Sequence, residues 1–346
     1  MELHQVPSVD GDAHPDGPTL LLSDDDVRRS CDMAAVVDAV EAALHDAPGP
    51  QLALPPRSYA AVEGTFLRVM PAIMGRAGVL GLKMLHGSFE RGVRYLVVLC
   101  DLKTGAVTGV LDAAYLTAAR TGATSGVATR HLAREDAETV GVLGAGLEAE
   151  TNLAAVAAVR PVARVKVFSP RPARRADFAA RMGAALGLDV VPVDTARAAV
   201  TGADVVVAAT NTGAGGPVAL RGEWIEPGQH VVSIGSTMPS RREIDVATFA
   251  RADAVVFDAP AGTVAAESGD VLAWRERDDA AATAVPTLTQ LLAGEVPGRR
   301  RADDVTVFKS IGAATQDLAA AVAVCERARA RAIGTPVRGL ADLKTF

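Results

Sequence analysis

The run Val140-Gly141-Val142-Leu143-Gly144-Ala145-Gly146-Leu147-Glu148-Ala149 constrains this chain more than any other stretch. An apolar segment suited to a buried strand runs into two glycines one residue apart, and a helix-forming segment comes next. In a G-x-G-x-x-A turn, Gly144 permits the tight reversal and Gly146 lets backbone approach a pyrophosphate. Ala149 allows the helix to pack closely on the sheet. Leu147 and Glu148 open that helix, whose free amide groups suit phosphate oxygens. The loop predicts a Rossmann-type dinucleotide site.

The segments downstream of the loop support that reading. From residue 138 onward short apolar strands alternate with helices: Thr139–Leu143, Val165–Phe168, Val190–Val193, Val205–Ala209, His230–Ile234 and Ala254–Phe257 read as strands. Continuous apolar strands separated by helices predict a parallel sheet covered on both faces. Upstream, Phe66–Met70, Leu80–Leu85, Tyr95–Asp101 and Val107–Leu111 are β-rich runs parted by glycine turns, which predicts an antiparallel meander. Leu20–Leu22 reads as a short strand. Ser23 with Asp24, Asp25 and Asp26 reads as the start of one helix running through Met33–Leu44. Ala-rich helices are expected over 113–132 and 317–332, the second returning to the N-terminal part. The fold class expected is α/β, a Rossmann dinucleotide-binding domain over 131–309 beside an α+β domain from 19–130 and 310–346. Residues 1–18, rich in Pro, Gly and Asp, read as a flexible tail.

The second strand of the alternating region speaks to which dinucleotide binds. An acid at its end holds the free ribose diol of NAD. Here the strand ends in Ser169-Pro170-Arg171, with Arg174 and Arg175 close behind and no acid before Asp177. A hydroxyl and guanidinium groups suit a 2′-phosphate, so NADP(H) is expected over NAD(H).

Composition removes several classes. A net charge of −6 gives no basic bias toward nucleic acid or an anionic membrane, and 4% aromatic residues leave little base-stacking surface. The run Arg299–Arg301 reads as solvated surface. Cys31, Cys100 and Cys325 lie far apart, which fits neither a disulfide framework nor a zinc site, and Cys100 reads as a buried thiol. With no apolar leader and no long uncharged apolar window, a cytoplasmic protein is expected.

Three cations stand in apolar or small-residue surroundings: Arg57 in Pro55-Pro56-Arg57, Lys83 in Gly81-Leu82-Lys83-Met84, and Arg120 in Leu116-Thr117-Ala118-Ala119-Arg120-Thr121-Gly122-Ala123. A buried charge must be paired or find a ligand, and convergence of the three would suit a substrate carboxylate. With Met70-Pro71-Ala72, Ser268-Gly269-Asp270, Phe308-Lys309-Ser310-x-Gly312 and Gln316-Asp317, these motifs resemble the ornithine cyclodeaminase and mu-crystallin family in order and spacing from about residue 20 to 335.

That resemblance implies a two-domain chain, a homodimer formed through the substrate domain's sheet, and a small amino or imino acid as substrate. Arg57, Lys83 and Arg120 would hold its carboxylate, and Lys83 would transfer the proton. Thr121, Thr210, Gly235 and Ser236 would border the cofactor. One departure matters. The family's cyclodeaminases carry an Asp in a Gly-x-Asp-x-Pro segment, where this chain reads Gly235-Ser236-Thr237-Met238-Pro239. Thr237 cannot act as that base, which points away from ornithine cyclodeamination and leaves hydride transfer at a C–N bond in place. His86, three residues after Lys83, is a candidate second substrate-side group if the strand ends or bulges there. The expectation is an NAD(P)H-dependent imine or ketimine reductase or amino acid dehydrogenase. A cyclodeaminase using catalytic NAD and a non-catalytic NADPH and small-ligand binding protein are its alternatives.

Overall fold

The computed structural model describes residues 17–46, 51–88 and 90–341; the expected tail falls almost wholly outside them. The chain forms two sheets. Its first part runs β1 (Thr19–Leu22), α1 (Asp24–Ser30), α2 (Met33–Asp46), β2 (Leu52–Ala53), β3 (Ser58–Val62), β4 (Thr65–Met74), β5 (Val79–Ser88), β6 (Gly92–Asp101), β7 (Val107–Asp112) and α3 (Ala114–Leu132). The alternating part continues as β8 (Thr139–Leu143), α4 (Leu147–Val159), β9 (Arg164–Phe168), α5 (Pro172–Leu186), β10 (Asp189–Pro192), α6 (Ala196–Val200), β11 (Val205–Ala208), β12 (His230–Ser233), α7 (Val246–Ala250) and β13 (Ala254–Phe257). The chain then passes through α8 (Ala261–Glu267), α9 (Gly269–Arg275), α10 (Asp279–Thr283), α11 (Leu288–Leu292), β14 (Thr306–Lys309), α12 (Ala314–Ala330) and β15 (Thr335–Val337).

The helix expected from Ser23 is two. Ser23 and Asp26 form a capping box on α1, but Cys31 turns extended, and the Asp32 carboxylate accepts the Ala35 amide. A fresh capping residue inside an apolar pattern restarts a helix rather than continuing one.

β4 to β7 form the expected meander, extended to the order β15-β1-β7-β6-β5-β4-β2 with β3 against β4. Its inner face carries Met70, Lys83, Val97 and Leu111 in one cross-strand row. Against this face packs α12, so the C-terminal helix does return to the N-terminal part: Leu318 reaches Gly81 and Cys325 reaches Gly109. The second sheet is parallel throughout, in the order β10-β9-β8-β11-β12-β14-β13. The strand order reverses beside β8, and the crevice at the strands' carboxyl ends is where doubly wound sheets bind ligands. β14, between β12 and β13, was not foreseen from the sequence.

α3 joins the two sheets and is buried along nearly its whole length. Its first amides are satisfied from outside the helix, Ala114 by the Asp112 carboxylate and Tyr115 by that of Asp24. Its close approach to α4 depends on Gly122, where a Cβ would sit 2.4 Å from the Thr151 carbonyl oxygen. This contact holds the Arg120–Thr121 turn beside the glycine loop.

Two surface readings change. Cys100 lies on the outer face of the meander and is half-buried, whereas Cys325 is the enclosed thiol. Within Arg299–Arg301, Arg300 and Arg301 are exposed as expected, but Arg299 is half-buried: its guanidinium donates to the carbonyls of Leu132, Ala302 and Gln229 and ties α3 to the second sheet.

Candidate active site

A cavity of about 1030 Å³ runs from the glycine loop to the inner face of the meander. At one end Gly144 has φ +118°, and a Cβ there would lie 2.2 Å from the Ala209 carbonyl oxygen. Only glycine tolerates both. Gly146 precedes α4 with open space where a Cβ would be, and Ala149 is fully buried beneath it. These residues fit a dinucleotide pyrophosphate: the approach is clear and the α4 amides face it. Leu147, Ser169, Arg171 and Arg174 line the same end. Arg175 is committed elsewhere, to the Ser169 carbonyl and Asp194, and Asp177 pairs with Arg181. Among the described residues no ion pair engages Arg171 or Arg174.

Midway, the loops after β11 and β12 are held by one buried carboxylate. Glu243 accepts the amides of Thr210, Ile234 and Gly235 and the hydroxyls of Thr210 and Ser233. Asp270 accepts the amides of Glu243 and Ile244 in turn, and Lys309 Nζ lies 3.4 Å from Asp270 Oδ2, both side chains fully buried. This chain of contacts fixes the backbone of Thr210 and Gly235 at the cavity wall.

At the far end the three cations of the sequence reading line one cavity. Lys83 is 2% exposed and donates to Asp317 Oδ1 at 3.0 Å; Arg120 Nε donates to the same oxygen at 2.8 Å. Arg120 also donates to Gln316 Oε1, and Gln316 reaches Asp258, which accepts the amides of Ile311 and Gly312. Arg57 donates to Glu267 on α8 and to the Gly312 carbonyl. Arg68, 3.6 Å from Glu267, lies beside it. Burial pushes the Lys83 ammonium down to about 8, against the opposing pull of Asp317. The Tyr95 ring caps Lys83 with its centroid 5.5 Å from Nζ. Glu148 comes in from the first turn of α4. Burial raises its carboxyl to about 7, although Arg120 and Lys83 draw it down.

Thr121, Thr210, Gly235 and Thr237 also line the cavity; two other expected residues do not. β5 continues without a bulge through Ser88, so His86 faces away from Lys83, on the outer face of the meander between Leu67 and Arg94. Ser236 is fully buried, its hydroxyl spent on the Arg241 carbonyl and Ser268. Asp258, Glu243 and Glu267 were not singled out by the sequence, and Asp317 entered only as part of a family motif with no site role assigned. For Asp317 a signal existed: an acid followed by the apolar run Leu318–Cys325 needs a partner just as Arg120 does.

A glycine loop at the switch point of a parallel sheet, facing buried cations across a shared cavity, defines a dinucleotide-dependent oxidoreductase. The chain belongs to the ornithine cyclodeaminase/mu-crystallin family, whose pattern matches residues 18–332. It is 39% identical over 275 residues to a putative dehydrogenase of Rhizobium meliloti, covering 79% of each chain. It is 31% identical to the alanine dehydrogenase of Archaeoglobus fulgidus, covering 92% of this chain and 98% of that one. Among solved structures, the Δ1-pyrroline-2-carboxylate reductase of Thermococcus litoralis, in complex with NADH and L-proline, superposes with a TM-score of 0.85 at 31% identity. That match covers 92% of this chain and all of the other.

Proposed function

We propose that this protein reduces a C=N bond adjacent to a carboxylate with NADPH, or runs the reverse oxidation of an amino acid. The observation that carries the reading is the pair Lys83 and Arg120 sharing one oxygen of Asp317 at the cavity's deep end. Two cations against one carboxylate leave a positive charge for a substrate carboxylate, and Arg57 adds a second guanidinium at the rim. The relatives support this chemistry, being a dehydrogenase of alanine and a reductase of a cyclic imino acid by name.

A bound reduced nicotinamide supplies the hydride. The chain's own residues do the rest. Arg57 and Arg120 orient the carboxylate, and α3 and α4 exclude water around it. Lys83, whose ammonium lies near neutrality, supplies or relays a proton. Gly144, Gly146, Leu147 and Glu148 border the pyrophosphate side, and Thr121, Thr210 and Gly235 the ring side. Ser169, Arg171 and Arg174 favour NADP(H), although the Thermococcus litoralis relative holds NADH. The neutral Thr237 fits reduction better than cyclodeamination. We read residues 19–130 with 310–346 as the substrate-binding half and 131–309 as the dinucleotide half; residues 342–346 lie outside the described residues. The outer face of the meander is the surface through which two copies would pair.

The first test is NADPH absorbance with cyclic imino acids, and with pyruvate or glyoxylate mixed with amines. Steady oxidation, slower with NADH, is expected. Ammonia release from a diamino acid without net nicotinamide oxidation would instead place the chain with the cyclodeaminases.

A further inference from the structure

The cavity wall is strongly one-sided in charge. Arg57, Arg68, Lys83, Arg120, Arg171 and Arg174 are among its cations, yet among the described residues Glu148 is the one carboxylate lining it. Glu267 is engaged by Arg57, and Asp317, which does not line the cavity, gives Oδ1 to Lys83 and Arg120 while its Oδ2 is also bare. Glu148 Oε2 is sealed from solvent and has no hydrogen-bond partner. A buried carboxylate oxygen left bare is costly unless a ligand completes it. The groups that feel its charge come from three elements: Lys83 on β5, Tyr95 on β6 and Arg120 on α3. It therefore stands at the substrate end of the cavity as well as on the phosphate loop.

Resting on the reductase reading, we propose that Glu148 recognises the substrate's nitrogen: it pairs the amine or iminium N–H and hands over the proton when the C=N bond is reduced. As the imine carbon accepts hydride from the reduced dinucleotide, the π electron pair moves onto nitrogen. Nitrogen then takes the Glu148 proton, which leaves an amine and a carboxylate. In the reverse direction the carboxylate takes the proton back. Lys83 and Arg120 meet the substrate carboxylate, and any proton that Lys83 relays reaches the nitrogen through Glu148, so the deep end complements a group that is anionic at one atom and cationic two atoms away. The carboxyl's position near 7 suits a group that must exist in both forms at neutral pH. Thr237, neutral on the wall, offers no competing acid.

The test uses the full chain with NADP⁺ bound and compares two probes of equal ring size, L-proline and cyclopentanecarboxylate, which lacks only the nitrogen. The wild-type protein is expected to prefer proline at least tenfold. Glu148→Gln is expected to bring the two ligands within about twofold, with an unchanged far-UV circular dichroism spectrum and a cooperative thermal transition reporting that the variant folds. In turnover, Glu148→Gln is expected to lose about a hundredfold or more in kcat for imine reduction and to lose the pH limb near 7. A Gln variant that keeps the proline preference and the pH profile overturns the proposal. Wild-type protein that binds both probes equally overturns it alone, whereas wild-type protein that binds neither overturns the amino acid reading and the proposal together.

Discussion

Lys83 shows how one residue's chemistry is made by its surroundings. An ammonium at 2% exposure would lose its charge were Asp317 not 3.0 Å away, and the balance leaves it titrating near 8, below its usual 10.5. Its charged form is present below that value and lost above it. If the ammonium supplies the proton, the reductive rate falls as pH rises through 8, and a flat profile from 7 to 10 would remove Lys83 from that role. Breaking a buried pair costs roughly 3–5 kcal/mol when a charge is stranded. In Lys83→Ala, however, Arg120 still holds Asp317 Oδ1. The variant is therefore expected to fold and bind NADPH but turn over about a hundredfold or more slowly. Full turnover with tight cofactor binding would sink the assignment.

At the scale of elements, the glycine loop and the start of α5 act through short stretches of backbone. Gly144, Gly146 and Ala149 were legible because a tight turn, an open approach and a close packing each need a particular side chain at a particular spacing. The turn after β9 is similar: Arg171 precedes α5, Pro172 opens it, and Arg174 lies in its first turn. Replacing Arg171 and Arg174 by Ser is expected to weaken NADPH binding about 10- to 100-fold and leave NADH unchanged, since a charge-assisted hydrogen bond contributes roughly 1.5–3 kcal/mol. Titration of both nucleotides checks this, and equal losses for the two would mean that the arginines do not read the 2′-phosphate. Legibility failed where the deciding interaction was remote or the local signal ambiguous. β14 is a four-residue strand whose neighbours β12 and β13 come from far upstream, so no periodicity announces it. His86 could be placed only once β5 was seen to run straight through it.

At the scale of the whole molecule, both faces of the meander are apolar. The inner face is covered by α12, but the outer face presents Leu67 and Ile73 at 41% exposure, with Leu82, Met84 and Val98 half-buried among them. Antiparallel sheets with one solvated face alternate apolar and polar residues, and this sheet does not. A contiguous apolar surface of this kind marks an interaction site. Sedimentation is expected to show a dimer, and Leu82→Asp to shift it to monomer without loss of secondary structure. A wild-type monomer at micromolar concentration would remove the pairing surface. The Archaeoglobus fulgidus relative is an alanine dehydrogenase by name, and a solved archaeal alanine dehydrogenase of 28% identity is described as a dimer with bound NAD.

The sequence by itself determined the parts of this protein that are local: the glycine turn, the Ser23 helix start, the alternation of strand and helix, and the three cations set in apolar surroundings. Each is a matter of backbone sterics or of a buried charge that one stretch of chain already declares. Only the tertiary structure decided which charges meet. Asp317 lies 234 residues from Lys83 and 197 from Arg120, and Glu148 reaches the same end of the cavity from the opposite sheet. Packing of α3 and α12 leaves Lys83, Arg120 and Asp317 almost without solvent exposure. Buried in this way, charges from distant segments must answer one another or await a ligand.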